Sequence, residues 1–176
     1  MALKGDRVET LHDISFFDND TTAERGGIVT ISTMGSGAAL DQAAAVVTYA
    51  TAISGKCALG MLMNDIVNVN QGKYHINFHK NEAQTGSKAV VMMEGWGVTN
   101  MLIPNISPTA GQPAMLSQSG LIGVVTFTAS GTVSTASAGV VHSDAVTGNA
   151  RIGRFMSGKD EDGYAKVYVK LPNYGI

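Results

Sequence analysis

Tyr164-Ala165-Lys166-Val167-Tyr168-Val169-Lys170-Leu171 decides how the rest of the chain is read. Ala165, Val167 and Val169 alternate with Lys166, Tyr168 and Lys170, and a period of two residues is that of a strand with one face inward and one outward. Working back from it, Tyr74, Ile76 and Phe78 alternate in the same way with His75, Asn77 and His79. From Gly26 onward, short stretches rich in Val, Ile and Thr are separated by Gly, Asn, Ser and Pro, the vocabulary of strands and turns. Candidate strands fall at 28–33, 59–63, 66–69, 74–78, 89–94, 97–103, 114–117, 121–128, 150–156 and 164–171. The segment 40–52 mixes helix-forming alanines with Val46, Val47, Thr48 and Tyr49, and leans to strand. So many short strands predict an all-β domain, a sandwich or a barrel.

Composition agrees. With 176 residues, one domain can bury a sizeable core. Its 21 glycines and 15% charged residues suit a turn-rich β protein better than a charged helical bundle. The chain divides into an N-terminal arm, 1–25, which lacks sustained periodicity, and a β-rich domain, 26–176. Within that domain 128–149 is nearly all Ser, Thr, Ala, Gly and Val, and reads as a long surface excursion or a thin hairpin.

Charge and motifs exclude several function classes. A net charge of -2 without a basic run leaves no electrostatic footprint for nucleic acid. No apolar run reaches the ~20 residues of a membrane span, and no apolar stretch follows the charged start, so neither a membrane partner nor a secretory signal is expected. Cys57, the single cysteine, allows no intrachain disulfide and reads as a small core side chain. His75, His79 and Glu82 would share a helix face, but on a strand four residues span about 13 Å, too far for two imidazoles to hold one ion. Asp18-Asn19-Asp20 and Asp160-Glu161-Asp162-Gly163 each resemble part of a calcium loop without its full ligand spacing, and the second reads as a solvated turn. No nucleophile elbow and no phosphate-cradling loop is present. The expectation is a non-enzymatic protein with no cofactor and no metal.

Several segments, taken in order, resemble the capsid decoration or head structural proteins of tailed phages. They are Ala23-Glu24-Arg25-Gly26-Gly27, Leu62-Met63-Asn64-Asp65-Ile66-Val67-Asn68, Tyr74-His75-Ile76-Asn77 and Gly95-Trp96-Gly97-Val98-Thr99-Asn100. Further on come Ala114-Met115-Leu116-Ser117, Ile152-Gly153-Arg154-Phe155-Met156-Ser157, and Asp160 to Gly163 leading into Tyr164-Ala165-Lys166-Val167-Tyr168-Val169. The resemblance implies a β-rich subunit, made in the bacterial host cytoplasm, that binds the outside of the head and bridges major capsid protein subunits, commonly as a homotrimer. The alternative is a β structural protein of the tail tube or fibre.

Phe16, Phe17 and Arg25 are the candidate contact residues for capsid or neighbouring subunit, because aromatic and Arg side chains dominate interfaces and these lie outside the core pattern. The competing reading has both rings capping their own domain and Arg25 pairing with a nearby carboxylate. Trp96, the only tryptophan, is expected in the core or at a subunit interface.

Overall fold

The alternation at the C-terminus becomes the strand Ala165–Lys170, with Ala165, Val167 and Val169 fully buried. This computed structural model describes residues 3–34, 45–49, 57–68, 82–124, 126–127, 133–134 and 151–171. The strands are β1 (Leu3–Asp18), β2 (Ile28–Met34), β3 (Ala45–Tyr49), β4 (Ala58–Leu62), β5 (Asp65–Val67), β6 (Glu82–Gln84), β7 (Lys88–Thr99), β8 (Pro113–Leu116), β9 (Ile122–Val124), β10 (Thr126–Phe127), β11 (Val133–Ser134), β12 (Arg151–Phe155) and β13 (Ala165–Lys170). The domain is all-β. Among the described residues only the 3-10 turn Gln118–Gly120 is helical, and no helix is long and apolar enough to cross a membrane.

β7 organises the sheet. One edge pairs antiparallel with β1 from Phe17↔Lys88 to Leu3↔Thr99. The other edge pairs first with β4, at Met61↔Met92 and Leu62↔Val91, and then with β13 from Lys170↔Glu94 to Ala165↔Thr99. The pairings β1-β3-β2-β4-β7-β1 close one ring. From β7 the sheet continues through β13, β12, β8 and β9, and residues 101–103, which follow β7, come back against β9. There Ile122 N–H donates to Met101 O (2.9 Å) and Ile103 N–H to Ile122 O (3.0 Å). Residues 101–103 thus cover the outer side of β9, whereas β1 meets β3 only at Phe17 and Asp18.

Two apolar clusters fill this frame. The larger gathers Leu3, Ile28, Met61, Met92, Leu116, Ile122, Ile152 and Phe155 with the inward residues of β13. The smaller holds Ala23, Val29, Leu62, Ile66, Ala89 and Val91, with Phe16, Tyr49, Leu59 and Ala83 packed on it. Neighbours in sequence divide between them: Ile28 and Val29, Met61 and Leu62, Met92 and Val91 each send one side chain to either cluster. At Ile28-Val29, Met61-Leu62 and Val91-Met92, β2, β4 and β7 are thus buried on both faces, which is why those pairs read as apolar runs while β13 alternates.

Where strands press together, a side chain has no room. A Cβ on Gly153 in β12 would stand 1.9 Å from Tyr168 O in β13. Gly120, at φ +70°, lies under the Tyr49 ring, where a Cβ would stand 2.8 Å from Cδ1. Both the left-handed backbone and the close approach require glycine there.

Several expectations change. The segment expected as an irregular arm, 1–25, supplies β1, whose register shifts between Leu3 and Val8, Thr10 and His12, and His12 and Asp13. These breaks in register interrupt the ladder, and the segment shows no sustained period of two in its sequence. The two strands expected at 89–94 and 97–103 are one strand to Thr99, running through Gly95 and Gly97. Cys57 is exposed, because it stands one residue ahead of β4 and not within the pattern that β4 buries. The expected strand 74–78, with His75 and His79, lies outside the described residues, as does most of 128–149. At the rim of that excursion, β10 and β11 form a short antiparallel pair.

Candidate interaction surface

Because β13 turns Ala165, Val167 and Val169 inward, Lys166, Tyr168 and Lys170 face outward. Register then decides what they meet. Tyr168 lies opposite Trp96 of β7 on one side and opposite Arg154 of β12 on the other. Trp96, Tyr168 and Arg154 form a row across three strands on the outer face, at the ~5 Å spacing of directly paired residues.

The row is held by local chemistry. Lys166 Nζ stands 3.8 Å from the centroid of the Trp96 ring, within cation–π range. Tyr168 donates its hydroxyl to Glu94 Oε1 (3.0 Å), and Lys170 Nζ lies 3.4 Å from the same oxygen. The hydrogen bond to Glu94 raises the pKa of the Tyr168 phenol, because ionisation would leave two anions facing each other.

Two depressions flank the row. One, of about 450 Å³, is lined by Trp96, Val98, Lys159, Asp160, Tyr164 and Lys166. The other, of about 730 Å³, is lined by Arg151, Arg154, Met156, Tyr168, Lys170 and Leu171. Met156 at its margin is 51% exposed, unusual for so large an apolar side chain. The turn between β12 and β13 bounds the first depression. Asp160 Oδ1 accepts the backbone N–H groups of Asp162 (3.1 Å) and Tyr164 (2.8 Å), and Gly163 takes φ +83°. The acidic cluster thus works as an Asx turn, as expected of a solvated β-connection. Among the described residues, no three His, Cys, Asp or Glu side chains gather as a metal-binding group.

The residues expected at an interface lie elsewhere. Phe16 is half-buried and packs on the smaller cluster. Phe17 is half-buried, with Lys88 Nζ 5.5 Å from its ring centroid. Arg25 is only 4% exposed, its N–H donates to Asp65 Oδ1 (2.8 Å), and its Nε stands 3.7 Å from Asp65 Oδ2. The carboxylate-paired reading of Arg25 thus describes its place in this chain, and Phe16 caps its own domain. Phe17 pairs with Lys88 at the opposite end of β7 from Trp96, eight residues and ~26 Å along the strand. The row itself went unread in the sequence. Alternation could place Tyr168 outward, but only register brings Trp96 and Arg154 beside it.

Near Phe17 the chain buries a second polar group of residues. Asp18 is 1% exposed, and its Oδ1 accepts the Asp20 N–H (2.7 Å). Asp20 in turn accepts the Thr48 hydroxyl and the Tyr49 N–H (2.9 Å), tying β1 to β3. Burial, with the nearby Asp20 charge adding to it, pushes the Asp18 carboxyl up to about 6. Burial likewise raises the pKa of the Tyr49 hydroxyl.

No known family model matches the chain, and no curated protein does either.

Proposed function

We propose that this chain is a non-enzymatic structural protein of a tailed-phage virion, one that binds the outside of the head and stabilises the shell by bridging major capsid protein subunits. The observation that supports it best is the outward row of Trp96, Tyr168 and Arg154 on a sheet whose nine strands are all paired. Trp, Tyr and Arg are the side chains most enriched where binding energy concentrates. A modest face suffices for a cementing role, since contacts repeated over a symmetric shell act together.

The order of the motifs resembling phage head proteins, from Ala23 to Val169, supports the same reading. The test is co-sedimentation of the purified protein with expanded heads stripped of accessory proteins. The expected result is saturable binding at a fixed ratio to the major capsid protein, lost in Trp96→Ala. Absence from heads and recovery with isolated tails would overturn it and favour a tail-tube or fibre component.

A further inference from the structure

In β12 the strand period breaks. Arg151 and Arg154 are both exposed, with Ile152 and Gly153 buried between them. Residues three apart on a regular strand face opposite sides of the sheet. Here two steps along β12, from Arg151 to Gly153, match one step along β8, from Met115 to Ala114, so β12 carries a bulge. The extra residue turns both guanidinium groups to the outer face. They meet there at the depression of about 730 Å³, whose lining also includes Lys170, Tyr168, Met156 and Leu171. Lys170 and the Tyr168 hydroxyl already hold Glu94. Among the described residues, neither Arg151 nor Arg154 has a carboxylate partner. Three cations against one carboxylate, on a chain of net charge -2, make this socket a local reversal of the molecule's charge.

We infer that the socket takes an acidic, partly apolar peptide segment of the major capsid protein, its carboxylates paired with Arg151 and Arg154 and an apolar side chain covering Met156. The inference rests on the capsid reading and gives this face the chemistry of its partner. A guanidinium presents a planar fork of donors that matches a carboxylate, and two of them on one face select closely spaced acidic groups. The remainder of the lining narrows the occupant. Met156 is 51% exposed, and Leu171 and the Tyr168 ring lie in the same lining. An acidic polysaccharide supplies carboxylates but no apolar side chain to cover Met156 and Leu171, whereas a peptide supplies both.

Co-sedimentation with stripped, expanded heads tests it. Wild type is expected to bind, and added salt to weaken the binding. Arg151→Glu/Arg154→Glu is expected to bind about 100-fold more weakly or worse, because like charges then face each other. Its urea midpoint should match wild type, since both side chains are exposed, and Arg151→Lys/Arg154→Lys should keep most of the affinity. Arg151→Lys also places an amine in the socket. Carbodiimide treatment of its complex with heads is expected to couple position 151 to an Asp or Glu of the major capsid protein, mapped by mass spectrometry. Wild type that binds heads, with the Glu variant binding equally well, would overturn the socket and leave the capsid reading standing. Wild type that stays in the supernatant would overturn both. Retention on immobilised alginate through the two arginines, without head binding, would assign the socket to an acidic polysaccharide instead.

Discussion

The two apolar clusters share β2, β4 and β7, yet they are built differently. Around the larger one the buried polar groups are satisfied. Thr99, with no exposed surface, donates its hydroxyl to Gly26 O (3.2 Å) and accepts the Met101 N–H (3.0 Å). Around the smaller one, Asp18 Oδ2 and Arg25 Nε are buried without a hydrogen-bond partner among the described residues. Burying a charged group with incomplete pairing costs free energy, and the cost depends on its protonation. The larger cluster is thus stabilised by burial with its polar group satisfied, and the smaller carries charges whose desolvation opposes it.

The comparison is broken most severely at Phe155, the largest fully buried side chain. Phe155→Ala is expected to lower unfolding free energy by about 3–5 kcal/mol, read from the urea midpoint, at acid and neutral pH alike. A loss under about 1 kcal/mol would mean the larger cluster does not carry the domain.

Asp18→Asn sharpens the contrast from the other side and should stabilise. A carboxyl raised from 3.8 to about 6 binds its proton more tightly in the folded state. Its contribution is therefore most favourable below the unfolded value, declines as pH rises through the interval from about 4 to about 6, and stays at its worst above. Asparagine keeps the acceptor for the Asp20 N–H and removes the charge. Thermal unfolding at pH 7.5 is expected to show a gain of about 2 kcal/mol, shrinking to nothing near pH 3.5. A gain that does not change with pH would show that the carboxylate charge is not its source.

The smallest effect is expected at Trp96. Its ring is half-buried on the outer face under Lys166, so Trp96→Ala should cost about 1 kcal/mol of stability, well short of a core truncation. A loss near that of Phe155→Ala would place the ring in the core after all. A small loss with head binding abolished would separate recognition from folding.

Much of the fold is legible in local pattern. Ala165, Val167 and Val169 face inward because a strand's side chains alternate whatever it packs on, and the apolar runs at Ile28-Val29 and Met61-Leu62 mark strands covered on both faces. β1 is not legible, since its ladder to β7 breaks register three times and its sequence shows no sustained period of two by which it would be recognised. Phe16, Phe17 and Arg25 look like contact residues for the same reason: without β1 and the Asp65 carboxylate in view, they have no partners in the chain.

Side-chain periodicity is a property of neighbouring residues, so the chain alone settles that this is a β protein and which residues of β13 point outward. Which strand lies beside which is settled only by contacts distant in sequence. Tyr168 meets Trp96 across 72 positions through the β7–β13 register, and Arg25 meets Asp65 across 40. Those pairings create the outer row, the socket and the buried charges, and a period of two residues carries no trace of them.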